Sequence, residues 1–440
     1  MTNLKVHFIH VGNMNNKGTQ ALFSSDFSII KEVDANAKVS VSTTDIEGVK
    51  KLNLSLNKIL PPMVDIPYDR ADQISKNLGF GRSRFSYKFL TVSLLVLLPV
   101  QTFLSLFSIV SSKIGVKAVY RSEVIEHIKK CDVVISHSDE SFKETASSLP
   151  LNPIWAVTWW SMLFSRTVEV MVARSFGKPV VLFPNSVGPF RTWLGRFMAR
   201  LSLNNCDYLL IRDPISYAIV DKLGISASKI LTYDTAILFN QQSNNTSSVS
   251  LPSELVIGVS AGVYSNSMSK NDVQNYIKAH AQALDAVIEK YGLTVAFLPH
   301  YISGFSGDDV DISKQIIEKM KNQRQTKMII TDNVPEFKSI LNQMKIVISS
   351  KMHPAILAVS GFVPVLSIVY DHKQTGFFQR LDMTDCTLDI SDVSYEHLLS
   401  KIDRVWMQQA QLKEALANQI PKWQNNVRFV IKNVVSKYIN

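Results

Sequence analysis

The chain has 440 residues, of which 46% are hydrophobic and 19% are charged. This length exceeds one ordinary core and predicts two domains of about 200 residues each, and the composition excludes a disordered chain. The formal net charge of +10 favours anionic partners. Lys and Arg are scattered without a basic run, which argues against nucleic acid as the partner.

The first half alternates short apolar runs with helical stretches. We predict strands at 4–11, 38–43, 131–136, 179–184, 207–212 and 229–233, and helices at 19–31, 154–176, 194–203 and 214–223. Runs rich in Val and Ile without alternation are typical of strands covered on both faces. The order therefore predicts a parallel sheet with helices on both sides.

An uncharged segment of 22 residues, 89–110, interrupts this pattern and is long enough to cross a bilayer. A single crossing would divide one predicted sheet, Pro99 lies near its centre, and basic residues flank both ends. We therefore expect residues 85–114 to form a re-entrant or interfacial hairpin on an anionic membrane surface. A buried core or subunit-interface helix and a true membrane span are the alternatives.

The polar stretch NQQSNNTSSVSLP predicts a linker, after which the alternation restarts. We predict strands at 254–260, 294–299, 327–331, 345–350 and 364–370, and helices at 270–291, 311–321, 397–418 and 422–438. The predicted domains are residues 1–240 and 253–440, joined by the linker 241–252. The fold class is α/β, with two Rossmann-like domains facing a cleft.

The cysteines and the N-terminal sequence predict the cellular compartment of the protein. Cys131, Cys206 and Cys386 are far apart and form no CxxC pair, so we expect neither a disulfide framework nor a zinc site. The N-terminus runs directly into the strand-like LKVHFIHVG and lacks the apolar region of a signal peptide. We expect a cytoplasmic protein that is peripheral or monotopic at the inner face of the cell membrane.

The strongest candidate site follows two consecutive strands of the second half. In open parallel sheets, ligands bind beyond the carboxyl ends of the strands. Ser350–His353 follow one strand, and Pro354 suits the first helical position, which would make His353 the N-cap. Asp371–Lys373 follow the next strand and should reach the same edge. An anion site is indicated by three side chains near a helix N-terminus, those of Lys351, His353 and Lys373. The alternative interpretation is a solvated loop in which the histidine only caps the helix.

Other polar loops also follow predicted strands. GNMNNKGTQAL is a glycine-containing turn that could offer N–H groups to a phosphate, although it lacks the GxGxxG pattern. Arg212 and Asp213 could be a structural ion pair or could present a cation to a ligand. His300 and the pair Asp308–Asp309 share a loop without metal-ligand spacing.

Five segments in this order resemble the polysaccharide pyruvyl transferase family: GNMNNKGTQAL, GKPVVLFPNSVGPF, YLLIRDPISYAIVDKLG, LPHYISGFSGDD and SSKMHPAILAVSGFVPVLSIVYDHK. The resemblance implies a glycosyltransferase-B-type architecture and transfer of pyruvate from phosphoenolpyruvate to a sugar as a ketal. By the family's motifs, His353 would be the general acid, and Lys351 and Arg212 would hold the donor. Lys351 stands where the family usually has arginine.

From these residues and this resemblance we predict an enzyme with no metal and no cofactor, with phosphoenolpyruvate as the donor substrate. The predicted partners are a glycan or lipid-linked glycan acceptor and a membrane surface. The alternatives are a nucleotide-sugar-dependent glycosyltransferase of the same architecture and a catalytically inactive membrane-associated binding protein. The predicted catalytic residues are His353, Lys351 and Arg212, and the predicted substrate-binding residues are Asn13, Asn16, Gly18, Asn185, Gly188, His300, Ser350, Asp371 and Lys373.

Overall fold

The computed structural model describes residues 3–66, 84–144, 153–239, 256–263, 268–302 and 308–439, with side chains for all but 84–95 and 153–158. The predicted linker 241–252 lies outside the described residues. The chain divides into two compact units. Unit 1 comprises Met1–Met14, Leu22–Thr235 and Asn426–Asn440, and unit 2 comprises Asn15–Ala21 and Ala236–Asn425. The short segment 15–21 and the C-terminal segment 426–440 thus group differently from the predicted domain boundaries.

Unit 1 contains a parallel sheet in the order β3-β2-β1-β4-β5-β6-β7. Its strands are β1 (Lys5–Val11), β2 (Lys38–Thr43), β3 (Lys58–Leu60), β4 (Val133–Ser136), β5 (Val180–Asn185), β6 (Tyr208–Ile211) and β7 (Ser228–Leu231). Every residue of β4 and β5 is buried, as expected for central strands that helices cover on both faces. The three-residue β3 was too short to predict from periodicity.

The helices up to residue 235 connect and cover these strands. They are α1 (Lys17–Val33), α2 (Ile46–Lys51), α3 (Arg84–Lys113), α4 (Ser122–Lys130), α5 (Pro153–Ser175), α6 (Trp193–Leu203) and α7 (Pro214–Lys222). The strand order reverses between β1 and β4, which is the topological switch point of a doubly wound sheet.

The predicted hairpin at 85–114 is wrong. The segment forms one 30-residue helix, α3, with Pro99 inside it. Proline removes one backbone donor, but the helix continues on both sides of it. The hydroxyl of Thr102 donates to the carbonyl of Leu98, and that of Ser105 to the carbonyl of Gln101, so these side chains follow the helix backbone.

Unit 2 repeats the architecture with a parallel sheet in the order β10-β9-β8-β11-β12-β13. Its strands are β8 (Val256–Ser260), β9 (Thr294–Phe297), β10 (Thr326–Met328), β11 (Ile346–Ser349), β12 (Val365–Val369) and β13 (Thr387–Asp389). The fold prediction of two parallel-sheet α/β domains is confirmed. Only β13, again three residues long, was not expected from the sequence.

The remaining helices are α8 (Lys270–Tyr291), α9 (Asp309–Lys319), α10 (Val334–Leu341), α11 (Met352–Val359), α12 (His372–Arg380), α13 (Tyr395–Met407) and α14 (Gln409–Val435). The predicted boundary between the last two helices, before Lys422, is wrong. The break lies at Gln408, and α14 continues through Pro421. A proline in a helical pattern therefore did not mark a helix start here.

Candidate active site

The loop after β11 gives the candidate site in unit 2 its first side chains. Lys351 is the N-cap of α11 and has extended backbone angles, and Met352 is the first helical residue. The prediction that His353 is the N-cap is therefore wrong, because the helix begins two residues earlier than Pro354 suggested. The hydroxyl of Ser349 accepts from the amide of Lys351 at 3.1 Å and donates to its carbonyl at 2.7 Å, which fixes the loop.

The loop after β12 lies beside the loop after β11, because the two strands are parallel neighbours. Asp371 is the N-cap of α12, and Lys373 is buried in its first turn. The side-chain amide of Gln374 lies 3.5 Å from the carbonyl of Ser350 and accepts from the amide of Tyr370 at 3.2 Å. The two predicted segments, Ser350–His353 and Asp371–Lys373, therefore meet at one edge of the sheet.

His353 lies between a glycine and a second histidine. A Cβ on Gly18 would lie 2.2 Å from Nδ1 of His353, so the backbone of residue 18 approaches the imidazole as only glycine allows. On the other side, the ring of His300 stacks on that of His353, with centroids 6.3 Å apart and planes inclined by 19°. These contacts place two of the predicted substrate-binding residues directly at the predicted general acid.

Lys351 points toward a carboxylate that is not among the predicted catalytic and substrate-binding residues. Its Nζ lies 3.4 Å from Oδ1 of Asp309. The other oxygen of Asp309 accepts from the backbone amides of His300 and Tyr301. Gly262, after β8, makes room for this pair, since a Cβ there would lie 2.3 Å from Cε of Lys351. Asp308 is the N-cap of α9, so both members of the acidic pair interact with groups of the protein.

Lys17 adds a second, fully buried cation to the cluster. Its ammonium donates to the carbonyls of Pro299 and His300 at 3.2 and 3.0 Å and lies 5.3 Å from the centre of the Phe337 ring. Burial lowers its pKa to about 8, and the negative charges of Asp309 and Asp332 oppose that shift. A lysine in this environment keeps a proton at neutral pH but binds it less strongly than usual.

His300 is buried next to these cations. Burial lowers its pKa well below the ordinary value, and the positive charges of Lys17, His353 and Lys351 lower it further. The imidazole is therefore neutral at neutral pH. Among the described residues, neither of its ring nitrogens has a hydrogen-bond partner, although such groups in protein interiors are normally paired.

Tyr276 supports the loop from behind. The hydroxyl of this buried tyrosine hydrogen-bonds to that of Ser350, and burial raises its pKa. It lies on α8, where helical periodicity gave no sign of a role beyond the core. Lys17, by contrast, is the first residue of α1, and Gly262 lies in the loop after β8. Both follow predicted strands closely, and this position could have identified them.

The other predicted binding residue of unit 2 shapes the turn before α1. The side-chain oxygen of Asn16 accepts from the amide of Gly18 at 2.9 Å, and its backbone forms an isolated antiparallel bridge with Tyr301. Asn16 thus helps to hold Gly18 near the 298–302 loop. Asn13 is half-buried and belongs to unit 1.

The predicted site residues of unit 1 are held by neighbouring groups. Arg212 is buried, with Nη1 donating to Asp234 at 2.7 Å and Nε to the hydroxyl of Ser186 at 2.8 Å. Burial acts to lower its pKa, but Asp234 and neighbouring carboxylates prevail and raise it. The side chain of Asn185 links the amide of Ser141 to the carbonyl of His137. Gly188 has a φ of +81°, a left-handed conformation that favours glycine.

Comparison with protein families and known proteins agrees with this sequence pattern. The model of the polysaccharide pyruvyl transferase family matches residues 28–372. The chain belongs to this family. The match confirms the resemblance drawn from the five segments and the coarse prediction of a transferase.

One curated relative is the amylovoran biosynthesis protein AmsJ of Erwinia amylovora, which is 20% identical over 313 residues, or 68% of this chain and 72% of the relative. Two similar solved structures are UDP-GlcNAc 2-epimerases. That from Neisseria meningitidis has a TM-score of 0.56 and 12% identity, covering 99% of this chain and 100% of the other. That from Methanocaldococcus jannaschii has a TM-score of 0.55 and 13% identity, covering 91% and 92%. At such identities the likeness concerns the fold alone.

Proposed function

We propose that this member of the family transfers pyruvate from phosphoenolpyruvate to a glycan as a cyclic ketal and releases phosphate. The observation that supports it is the cluster in unit 2, where Lys351, Lys17 and two histidines share one strand edge with a helix N-terminus. Charge-assisted hydrogen bonds from such groups suit a small anion with a carboxylate and a phosphate. The resemblance assigned the same residues, Lys351 and His353, to this donor.

In the proposed reaction, His353 as imidazolium gives its proton to the methylene carbon of phosphoenolpyruvate, which becomes a methyl group. The carbon that carries the phosphate becomes oxocarbenium-like, and an acceptor hydroxyl attacks it and returns a proton to His353. A second hydroxyl then forms the ketal as the carbon–oxygen bond to phosphate breaks, and its proton leaves with the phosphate. No electrons are gained or lost overall.

The cations have a separate part in this scheme. Lys351 would hold the donor's carboxylate or phosphate, and Asp309 would keep its ammonium charged and directed, because the carboxylate lies 3.4 Å away. Fixed positive charge near the departing phosphate stabilises the transition state without reorganisation. Neutral His300 can hydrogen-bond to a ligand without competing with His353 for the proton.

Phosphate release from phosphoenolpyruvate over a panel of nitrophenyl and lipid-linked glycosides tests the proposal. We expect release only when an acceptor with a suitable pair of hydroxyls is present, together with an acceptor product heavier by one pyruvate ketal. Parallel assays with UDP-sugars test the nucleotide-sugar alternative. Release of UDP without consumption of phosphoenolpyruvate would overturn the proposed donor, and ligand binding without turnover of either donor would favour the binding protein.

A further inference from the structure

Helix α3 has the reverse of the usual distribution of polar and apolar side chains. Most of its described apolar residues are exposed at helical spacing, and Phe103 and Val110 are 68% and 59% accessible. The exposed set on the helix comprises Val96, Leu97, Val100, Phe103, Leu106, Phe107 and Val110. A helix on a soluble domain normally turns such a stripe toward the core.

The opposite side of α3 is polar and buried. Among the described residues of α3, four buried serines lie on this side at spacings of three, three and one: Ser105, Ser108, Ser111 and Ser112. Ser108 is completely inaccessible to solvent. The hydroxyl of Ser108 accepts from the amide of Tyr120 at 2.8 Å, and that of Ser111 donates to the carbonyl of Ser108. The serines therefore have partners inside unit 1, where α3 packs on α5.

Gln101 fixes the helix at another point. Its side-chain oxygen accepts from the amide of Asp65 at 2.7 Å, and its side-chain nitrogen donates to the carbonyl of Asp65 at 3.2 Å. This two-point contact ties α3 to the segment that follows β3. The helix is thus held to the domain through polar groups, and its apolar stripe is left facing outward.

The charged residues of α3 and of the segment directly after it are positive. No acidic residue occurs between Arg84 and Lys113, and Lys113 and Lys117 are exposed at the C-terminal end of the helix. The nearest acids on α4 lie beside lysines of their own. Glu123 is 3.6 Å from Lys58, and Glu126 is 3.3 Å from Lys129.

We infer that the exposed stripe of α3 docks on an anionic lipid surface, with the helix lying in the plane of the interface. Phe, Leu and Val side chains would enter the headgroup–acyl boundary, and the lysines at the end would contact anionic headgroups. A second copy of the chain would bring the same apolar stripe and the same lysines, and the sequence of α3 contains no acidic residue to complement them. The inference does not depend on the proposed donor.

Vesicle co-sedimentation of the full chain tests this inference. We expect binding to phosphatidylcholine vesicles that contain about a third phosphatidylglycerol and much weaker binding to phosphatidylcholine alone. Phe103→Ser with Phe107→Ser should weaken binding roughly tenfold or more, because two exposed aromatic rings are removed. Lys113→Glu with Lys117→Glu should weaken it about as much on anionic vesicles only.

The matched control replaces two exposed apolar residues on other helices, Met407→Ser with Phe429→Ser, and should bind vesicles as the native chain does. Phosphate release with a water-soluble acceptor and the unfolding midpoint are measured on every variant, so a failure of the donor assignment or of folding is recognised separately. Unchanged vesicle binding by the Phe103 and Phe107 variant would overturn the inference. So would a native dimer in lipid-free buffer that dissociates in this variant without any vesicle binding.

Discussion

The strand ends of the two units hold their polar side chains in different ways. In unit 1, the imidazole of His10 at the end of β1 contacts the hydroxyl of Ser136 at 2.8 Å and the carbonyl of Arg166 at 3.1 Å. In unit 2, His300 after β9 is equally buried, but neither ring nitrogen has a partner among the described residues. Arg212 is paired closely with Asp234, whereas Lys351 is 3.4 Å from Asp309. The buried side chains of His10 and Arg212 in unit 1 thus contact groups of the protein, and the cluster around His300 in unit 2 keeps an arrangement that suits a ligand.

The largest expected effect is on the rate of phosphate release, and it distinguishes His353 of unit 2 from His10 of unit 1. His353→Gln should lower phosphate release roughly 10²–10⁴-fold with little change in the unfolding midpoint, because it removes a proton donor. The control His10→Gln should lower stability and leave the turnover of the folded enzyme intact, because both nitrogens of His10 serve internal contacts. Steady-state kinetics and thermal unfolding measure both. Full ketal formation by the His353 variant would contradict the assignment.

The buried ion pair of unit 1 is the next test. Arg212→Gln or Asp234→Asn should each lower the free energy of unfolding by about 3–5 kcal/mol, because either change leaves a buried partner uncompensated. Denaturant titration measures this. The donor-binding role that the resemblance gave Arg212 stays a prediction. That role predicts an effect on substrate binding and not on the free energy of unfolding. An Arg212 variant of native stability with a raised KM for phosphoenolpyruvate would support that role and weaken the contrast between the units.

Glycine at position 18 offers a steric test of unit 2. Gly18→Ala would put a methyl group 2.2 Å from Nδ1 of His353. We expect a loss of kcat of roughly 10²-fold, because a displacement of about 1 Å at a catalytic group has effects of that size. Gly224→Ala is the control, since that glycine has a left-handed φ of +66° and open space around it. It should lower stability by about 1 kcal/mol and leave kcat unchanged. Native kcat in the Gly18 variant would show that the close approach has no catalytic consequence.

Two buried titratable groups should make the free energy of unfolding change with pH in opposite directions. Burial lowers the pKa of Lys338 in unit 2 from 10.5 to about 7, so the unfolded chain binds more protons across that window and stability rises with pH there. Burial raises the pKa of Glu169 in unit 1 from 4.5 to about 7, so this group makes stability fall as pH rises from 4.5 to 7.

Lys338→Met should flatten the rise above pH 7, and Glu169→Gln should flatten the fall below it. Both are read from denaturant midpoints over the pH range. Curves parallel to that of the native chain would contradict the assigned directions.

Much of the fold followed from the sequence because its signals are local. Uninterrupted apolar strands and helical stretches between them predicted two parallel sheets, and the position after each strand located Lys351, His353 and His300. The contacts of Gly18 with His353 and of Asp309 with Lys351 join residues far apart in sequence, and periodicity carries no information on such pairs. The hairpin at 85–114 was inferred from Pro99 near its centre, from basic residues at both ends and from the sheet that a single crossing would divide. None of these arguments excludes one continuous helix, because a helix can continue through one missing donor.

Direct titration of the full chain with phosphoenolpyruvate tests the central claim, that the strand edge of unit 2 holds the anionic donor. Isothermal calorimetry should show binding by the native chain, an affinity lower by roughly tenfold or more for Lys351→Ala, and partial recovery for Lys351→Arg, because the second variant keeps a charged donor. The affinity of the matched variant Arg212→Lys for phosphoenolpyruvate, measured in the same assay, shows the effect of a change in unit 1. Native affinity in the Lys351→Ala variant would contradict the claim.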